Sequence, residues 1–333
     1  MNMSEQYLYN PQLPIIRRGW RGNYFYRGAF ENETAIQRPN FLTIAKWQWE
    51  RRNLHKERAK NPFKLPIVCN TPALLEDGDC VIWLGHATFF IRLSGVTFLT
   101  DPCFFDLPLV PRLVALPFDI AAIPRLDYVL ISHAHRDHLD NRSLKTILHS
   151  HPQAEFLLPL NAGKLLSHLP IKSKQEAGWY QQYNINCRGT ALDVFYAPAL
   201  HWHKRGLADY NSVLWGSFFI RNAQKSVYFA GDTGFSSHFN DIKKIMGRPQ
   251  VCLLPVGAYS PRQIMQYAHV NPEEAVEAFN DLGGQIFIPM HYGTYDLSDE
   301  PLSEPIKKLQ TTFDDIYQKG CLQVPAVGEP VYY

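Results

Sequence analysis

The sequence contains no apolar run near the ~20 residues that a helix needs to cross a lipid bilayer. Residues 1–14 also lack the basic-then-apolar pattern of a secretory leader. The six cysteines include no Cys-x-x-Cys pair, and several lie in apolar runs, where cysteine behaves as a small hydrophobic residue. These absences argue against a membrane-spanning helix and a disulfide framework, and they predict a protein of the reducing cytoplasm.

Internal repeats and low-complexity segments are also missing, and the composition is that of an ordinary globular protein. The chain has 333 residues, of which 46% are hydrophobic and 19% charged, so a large core is expected. The net charge of +2 gives little information about partners. Residues 1–60, however, hold 11 basic and 5 acidic residues interleaved with aromatic ones. Such a segment is expected either to meet an anionic membrane surface or nucleic acid, or to pack over the core with its charges solvated.

We predict two parts, a basic and aromatic N-terminal extension over residues 1–75 and a main domain over residues 76–333. Good helix formers between prolines predict a helix at 41–60. In the main domain, short apolar runs bounded by Gly, Pro, Asp or His predict buried strands with helices between them. The predicted strands are 81–84, 88–93, 96–100, 128–132, 155–158, 192–197, 213–221, 226–230, 251–255 and 285–289, and the predicted helices are 141–149, 162–169, 236–246 and 272–282, the last capped by Asn271. This alternation predicts a layered α/β sandwich.

The most informative feature is a group of metal-ligating side chains that follows the apolar run 128–131. The group consists of His133, His135, Asp137 and His138. Three imidazoles and a carboxylate at a strand end suit a borderline divalent ion, zinc above all, whereas calcium and magnesium prefer oxygen ligands. Because His133 and His135 share one side of an extended segment while the other two follow in a tighter turn, one stretch can serve two metals.

Three further apolar runs end in residues of the ligand type. One is followed by His201 and His203, either of which is a candidate ligand. A second leads to Asp232, whose flanking glycines permit a sharp turn and a close approach to a site. A carboxylate at that position has two oxygens with which to bridge two cations. The third run leads to His291.

The order of these residues along the chain resembles that of the metallo-β-lactamase superfamily over about residues 80–295. Additional motifs narrow the resemblance to the N-acylphosphatidylethanolamine-hydrolysing phospholipases D and their bacterial relatives, and the ascorbate-6-phosphate lactonases share some of them. The motifs are Trp-Leu-Gly-His-Ala-Thr at 83–88, Leu-Thr-Asp-Pro at 99–102, His-Trp-His-Lys-Arg at 201–205, Gly-Asp-Thr-Gly at 231–234, Pro-Val-Gly-Ala-Tyr at 255–259, the segment 269–275 and His-Tyr-Gly-Thr at 291–294.

The resemblance implies a four-layer αββα sandwich with an N-terminal extension and two Zn²⁺ per chain at one edge of the sheets. The metal ligands that it implies are His133, His135 and His201 for one zinc, Asp137, His138 and His291 for the other, and Asp232 as the bridge. His203 is the alternative to His201. Residues expected to orient the ligands through hydrogen bonds are His86, Asp101 and Asp140.

For the activity, the resemblance implies a phosphodiesterase of phospholipase D type. Such an enzyme cleaves N-acylphosphatidylethanolamine or a related phospholipid to an N-acylethanolamine and phosphatidic acid, with a metal-bridging hydroxide as nucleophile. Asp137 is expected to orient that hydroxide or accept its proton. His269 matches a histidine that faces the substrate phosphate; it is expected to steady the phosphate, to protonate the leaving oxygen or only to pack before the helix at 272–282. The alternative function is that of a zinc-dependent lactonase or a soluble phosphoester hydrolase.

The remaining substrate-binding candidates are cationic or aromatic residues near the ligands. Lys204 and Arg205 follow His201 and either hold an anionic head group or lie in a solvated loop. Tyr259 lines the cleft or belongs to the packing. Arg136 stands where the lipid-cleaving enzymes carry a tyrosine that contacts substrate, so a second phosphate or carboxylate is an expected ligand. Expected partners are a phospholipid or other phosphoester, the inner membrane face as a peripheral contact, and a second copy of the chain; nucleic acid is not expected.

Overall fold

A computed structural model of the chain describes residues 6–34, 41–58, 63–186, 189, 191–315 and 320–333. Two seven-stranded sheets face each other, and a three-stranded sheet precedes them in the chain. Cys187 and the last two residues of the predicted helix 41–60 lie outside the described residues. The fold class predicted from the sequence is confirmed.

The N-terminal extension forms a small antiparallel sheet followed by a long helix. Its elements are β1 (Gln6–Leu8), β2 (Asn23–Tyr26), β3 (Ala29–Phe30) and α1 (Phe41–Arg58). The first half of the main domain then contributes β4 (Cys80–Trp83), β5 (Phe89–Leu93), β6 (Val96–Thr100), β7 (Tyr128–Leu130), α2 (Asn141–Ser150), β8 (Glu155–Pro159) and β9 (Lys174–Ala177).

The second half of the main domain continues in the same alternating style and returns to the first sheet at its end. Its elements are β10 (Gln181–Tyr183), β11 (Asp193–Ala197), β12 (Ser217–Arg221), β13 (Ser226–Phe229), α3 (His238–Met246), β14 (Val251–Pro255), α4 (Arg262–Met265), α5 (Pro272–Leu282), β15 (Ile286–Met290), α6 (Glu304–Asp315), β16 (Cys321–Leu322) and β17 (Pro330–Tyr332).

The two large sheets have the same mixed design. The first has the strand order β17-β4-β5-β6-β7-β8-β9, and the second has the order β10 to β16 in sequence. In each sheet the four later strands are parallel, β6 to β9 in one and β13 to β16 in the other, while the remaining pairs are antiparallel. Parallel strands place their carboxyl ends at one edge of a sheet, and ligands commonly bind beyond such an edge in open α/β folds.

Both sheets are covered on both faces, which explains the continuous apolar runs in the sequence. The strands β4, β5, β6 and β14 are buried along their whole length. Between the sheets, the rings of Phe89 and Phe229 lie 6.4 Å apart. On one outer face α2 adds Leu144 and Ile147 to an apolar cluster, and on the other α5 contributes Phe279 to the main core. The layers therefore follow the predicted order αββα.

Several predicted elements are shorter in the structure than in the sequence analysis. The predicted strand 213–221 begins only at Ser217, because residues before it bond to loops; Gly216, for example, donates its N–H to the Ser132 carbonyl at 3.0 Å. The predicted helix 162–169 is a 3₁₀ turn, Ala162–Leu166. The prediction missed α6 and also β9, whose residues Lys-Gln-Glu-Ala carry no apolar alternation. It also missed the short elements β1, β2, β3, β10, α4, β16 and β17.

The N-terminal extension contacts the core through its backbone. Ile16 donates its N–H to the Tyr180 carbonyl at 2.9 Å, and Gln182 donates to the Pro14 carbonyl at 3.0 Å. The division into parts at residue 75 stays a prediction. Among the described helices, none is long and apolar enough to cross a membrane.

The start of α5 agrees with the sequence prediction in detail. The Asn271 side chain accepts a hydrogen bond from the Glu274 N–H at 2.8 Å, and the Glu274 carboxylate accepts one from the Asn271 N–H at 3.1 Å. This reciprocal pair satisfies two of the N–H groups that a helix start leaves unpaired. The helix ends at Gly283, whose positive φ of 67° suits a residue without a side chain.

We predict that Asn271→Ala lowers the free energy of unfolding by about 1 kcal/mol, because it removes the cap from α5. Urea denaturation followed by circular dichroism measures this loss. Glu277→Ala, at an exposed position of the same helix, is the control and should leave the midpoint nearly unchanged. Equal midpoints for Asn271→Ala and the control would contradict the role of the cap.

Candidate metal centre

The predicted ligands meet at one edge of the two sheets, where strands from both sheets end. The motif that starts at His133 follows β7 of the first sheet. In the second sheet, His201, Asp232 and His291 follow β11, β13 and β15 respectively. Gly231 has a φ of 59°, and a Cβ there would lie 2.7 Å from the Ser132 Cβ, so only glycine lets the two strand ends approach this closely.

Three imidazoles converge on one point in the first of two clusters. The Nδ1 atom of His135 lies 3.0 Å from Nε2 of His133 and 3.1 Å from Nε2 of His201. The other ring nitrogen of His201 donates to the Ala268 carbonyl at 3.0 Å, so its Nε2 carries a lone pair. A single proton on Nδ1 of His135 can be donated to only one of these two Nε2 atoms. A single cation between the three nitrogens satisfies all of them, and the donor set therefore fits a metal ion.

A buried aspartate orients the ligands of both clusters. Asp101 is fully buried and accepts hydrogen bonds from the Ser132 N–H at 2.7 Å, the Ser132 hydroxyl at 2.5 Å and Nδ1 of His138 at 2.7 Å. Because the Ser132 proton goes to Asp101, the Ser132 oxygen accepts from Nδ1 of His133 at 2.9 Å. Both imidazoles thereby direct their Nε2 atoms inward. This is the orienting role that the sequence analysis predicts for Asp101.

The second cluster combines imidazoles with a carboxylate. The ligand atoms of His86, Asp137, His138 and His291 all lie within 4.8 Å of one another. Nε2 of His138 is 3.4 Å from Nε2 of His291, and the Asp137 carboxylate is 3.4 Å from the first and 3.7 Å from the second. His86 hydrogen-bonds Asp137 through its Nε2 at 3.0 Å, in agreement with its predicted orienting role.

Asp232 lies between the two clusters. Its Oδ2 atom is 3.2 Å from Nε2 of His138, and its Oδ1 atom is 3.1 Å from Nε2 of His291. The same Oδ2 is 3.9 Å from Nε2 of His133 and 4.0 Å from Nε2 of His201. One carboxylate therefore faces both groups of nitrogens, as a bridging ligand must.

Burial sets the protonation of the first cluster. It lowers the pKa of His135 to about 3 and holds the pKa values of His133 and His201 well below the ordinary value. Neutral imidazoles with free lone pairs are the form that binds metals.

In the second cluster, charge outweighs burial for Asp137, Asp232 and His291, whereas burial lowers the pKa of His86 to about 3. Burial alone raises the pKa of Asp232, but the nearby His138 and His291 hold it well below its usual range. Asp137 behaves in the same way, with His138 as the main opposing charge. In return, although burial lowers the pKa of His291, Asp232 and Asp137 raise it to about 9. In the metal-free chain, protons on imidazoles thus balance two buried carboxylates, and a divalent cation replaces such protons when it binds.

Geometry distinguishes the two histidines after β11. His201 is fully buried and belongs to the first cluster. The ring of His203 is also buried, but its centre lies 6.3 Å from that of His135, and among the described residues its nitrogens have no hydrogen-bond partner. Of the two, His201 is therefore the histidine that lies in the first cluster.

Among the predicted substrate-binding residues, one lies beside the metal cluster and two are exposed. His269 lies beside the metal cluster, with its Nδ1 3.8 Å from Oδ2 of Asp232 and without a hydrogen-bond partner among the described residues. Lys204 and Arg136 are exposed. The nearest polar contact of Arg136 is a hydrogen bond from its Nη2 to the Arg205 carbonyl at 3.3 Å.

Three other predicted residues have structural partners, and for Tyr259 this agrees with the packing alternative. The Tyr259 hydroxyl donates to the Glu304 carboxylate at 2.6 Å, so this end of the side chain faces α6 and not the metals. Nη1 of Arg205 donates to the carbonyls of Ala134 at 2.9 Å and Leu139 at 2.8 Å, which brace the loop of the central motif. Asp140 caps α2 by accepting from the Ser143 N–H at 3.0 Å.

A second group of bracing residues was not predicted from the sequence. Arg112 donates to the Leu84 and Cys103 carbonyls, both at 2.5 Å, and so joins the loop before His86 to the loop after β6. The Thr294 hydroxyl accepts from the His86 N–H at 2.7 Å. No local pattern predicts these contacts, because the partners are far apart in the chain.

Together, the αββα sandwich and the cluster of imidazoles and carboxylates at its edge define the class of protein, a metal-dependent hydrolase of the metallo-β-lactamase fold. A family model described as beta-lactamase superfamily domain matches residues 97–292. N-acyl-phosphatidylethanolamine-hydrolyzing phospholipase D 1 of Caenorhabditis elegans is 33% identical over 252 residues, which cover 72% of this chain and 71% of that protein. The chain therefore belongs to the metallo-β-lactamase superfamily and is close to the N-acylphosphatidylethanolamine-hydrolysing phospholipases D.

Two further comparisons agree with this placement. The mitochondrial N-acyl-phosphatidylethanolamine-hydrolyzing phospholipase D of Saccharomyces cerevisiae is 30% identical over 74% of this chain and 57% of its own length. A metallo hydrolase from the archaeon Ignicoccus hospitalis superimposes with a TM-score of 0.58 over 77% of this chain and 98% of that chain. At 22% sequence identity, this second likeness supports the fold alone.

We predict that Asp101→Asn weakens metal binding by roughly 10- to 100-fold, because it removes the charge that orients His138 and Ser132. Competition with a chelator, followed by elemental analysis of the retained metal, measures the change. Asp314→Asn, an exposed position on α6, is the matched control. Retention curves that coincide for the two variants would show that Asp101 does not support the metals.

Proposed function

We propose that this chain is a dinuclear zinc phosphodiesterase of phospholipase D type that acts on N-acylphosphatidylethanolamine or a related phospholipid. The products are an N-acylethanolamine and phosphatidic acid. The observation that carries the proposal is the position of Asp232, whose carboxylate lies between two separate groups of imidazole nitrogens. The likeness to phospholipases D of this specificity supports the substrate class.

In this proposal the two clusters hold one metal each. The proposed ligands are His133, His135 and His201 for the first, Asp137, His138 and His291 for the second, and Asp232 for both. Imidazoles outnumber carboxylates in this set, and such donors favour zinc over calcium or magnesium. The support is the convergence of imidazole lone pairs described above. One metal ion can bind all of the converging nitrogens, whereas one proton can be shared by only two of them.

Two bound zinc ions would supply a hydroxide at neutral pH and offset the charge that develops at phosphorus. Around them, the chain's own residues have separate tasks. Asp137, whose orientation is set by its hydrogen bond to His86, would orient the hydroxide or accept its proton. His269, with Nδ1 open toward Asp232, is placed to donate a hydrogen bond to a phosphate oxygen. Burial of the whole cluster strengthens these electrostatic interactions.

A second candidate function is favoured by the charge at the mouth of the site. Arg136 and Lys204 are exposed next to the ligands, and they suit a substrate with a second anionic group. The chain would then be a zinc-dependent lactonase or a soluble phosphoester hydrolase similar to the ascorbate-6-phosphate lactonases. The cytoplasmic location, the peripheral membrane contact and the homodimer stay predictions from the sequence.

We expect protein purified without chelator to contain two zinc ions per chain and to release N-acylethanolamine from N-acylphosphatidylethanolamine. Asp232→Asn should lower turnover by roughly 100-fold or more and reduce the zinc content, because the carboxylate serves both metals. Elemental analysis and product detection by mass spectrometry on the same samples measure both. Asp314→Asn is the control. Two zinc ions without lipid turnover would favour the second function, and less than one metal per chain would refute both.

We predict that Arg136→Tyr raises turnover of N-acylphosphatidylethanolamine relative to a small soluble diester, bis(4-nitrophenyl) phosphate. The substitution removes a cation from the site mouth and adds an aromatic surface for an acyl chain. The ratio of kcat/KM values for the two substrates is the measurement, and Arg248→Tyr at a remote exposed position is the control. An unchanged ratio would remove Arg136 from substrate selection.

A further inference from the structure

The segment that leaves the small N-terminal sheet lies against the backbone of a proposed metal ligand. Nδ2 of Asn32 donates a hydrogen bond to the His201 carbonyl at 2.8 Å. Oδ1 of the same side chain accepts one from the indole N–H of Trp215 at 3.0 Å. Trp215 is fully buried, so its indole fixes which way the Asn32 amide faces.

A second set of contacts ties the same segment to the far end of the loop that starts at His201. The N–H of Phe30 donates to the Asn211 carbonyl at 2.7 Å, and Nδ2 of Asn211 donates back to the Phe30 carbonyl at 3.0 Å. Oδ1 of Asn211 accepts from the His203 N–H at 3.0 Å. Phe30 is buried in the core, so this anchor cannot shift freely. Residues 30–32 therefore hold both ends of the loop.

The loop between these ends depends on such anchors. Leu207 is fully exposed at its tip, and the capping contacts within it come from Asp209, which accepts from the Gly206 N–H at 2.8 Å. Near its ends the loop is packed, with the rings of Trp202 and Tyr210 stacked at 6.1 Å, but its exposed tip adds no apolar burial. Segments with few buried contacts open at low free-energy cost.

The His201 ring is placed by two hydrogen bonds from outside the loop. Nδ1 bonds the Ala268 carbonyl on one side, and the backbone carbonyl bonds Asn32 on the other. With both in place, Nε2 lies 3.1 Å from Nδ1 of His135. The neighbouring Leu200 also donates its N–H to the Thr233 hydroxyl at 3.0 Å and accepts from the Gly234 N–H at 2.8 Å. Metal sites need their ligands within about 0.5 Å of the productive geometry, so loss of the Asn32 hydrogen bond matters even beside these supports.

We propose that Asn32 is a positioning residue of the metal centre, and that the N-terminal extension completes the site by holding His201 toward its metal. The proposal rests on the proposed function in taking His201 as a ligand. It concerns one metal only, because the ligands of the second cluster are oriented by Asp101 and His86, which Asn32 does not contact.

The test uses the full chain with two substitutions at one position. Asn32→Asp keeps an oxygen for the Trp215 indole but places a second oxygen against the His201 carbonyl, and Asn32→Leu removes both hydrogen bonds. Glu31→Gln, on the exposed neighbouring residue, is the matched control. Chelator-treated protein is titrated with Co²⁺, whose visible d–d absorption reports the geometry of each site, and then with Zn²⁺ in equilibrium dialysis.

We expect both Asn32 variants to bind one of the two metals roughly 10-fold more weakly, with an altered cobalt spectrum, while the other metal and the control keep wild-type affinity. The melting temperature of the metal-free variants should stay close to that of the metal-free wild type. Wild-type affinity at both sites would overturn the proposal. A lower metal-free melting temperature with equal weakening at both sites would also overturn it, since that is the result of a merely structural role.

Failure of the proposed function gives a different pattern. If the wild type binds two metals and the Asn32 variants lose affinity for one of them, but N-acylphosphatidylethanolamine is not cleaved, the positioning role stands and the proposed substrate is wrong. If the wild type binds no metal, both proposals are wrong.

Discussion

The structure depends on one electrostatic arrangement, two carboxylates set among imidazoles at the shared edge of two sheets. Asp232 is buried and Asp137 is partly exposed, and the positive charge of His138 and His291 holds the pKa values of both carboxylates well below their usual range in the metal-free chain. Other imidazoles at this edge, such as that of His133, are kept neutral by burial. The neutral form is the one that binds a cation. Protons and metal ions thus compete for the same place.

The rest of the main domain serves to bring these groups together. Each sheet contributes strand ends, and close approach of the two sheets requires glycine at position 231. Hydrogen bonds then orient the imidazole rings. Asp101 bonds His138 directly and orients His133 through Ser132. The placement of these imidazoles and carboxylates is therefore a property of the sandwich as a whole.

Cationic residues near the site have a role that their position in the sequence does not suggest. Arg205 and Arg112 direct guanidinium N–H groups at backbone carbonyls of the loops that carry ligands, and so hold those loops in place. Arg136 and Lys204, which are close to the same histidines in the chain, are exposed. The cationic residues of these segments thus divide into those that brace loops and those that face solvent.

The sequence by itself determined the features that depend on neighbours in the chain: the buried strands, the cap of α5 at Asn271 and the concentration of ligand-type residues after β7. It also placed Asp232 and His291 at strand ends, although the grouping of ligands around two metals came from resemblance to a family. Only the tertiary structure separated His201 from His203, turned Tyr259 toward Glu304 and brought Asn32 to the His201 carbonyl. The physical reason is that hydrogen bonds between distant segments leave no periodic pattern in the sequence, because their geometry exists only after the sheets have packed.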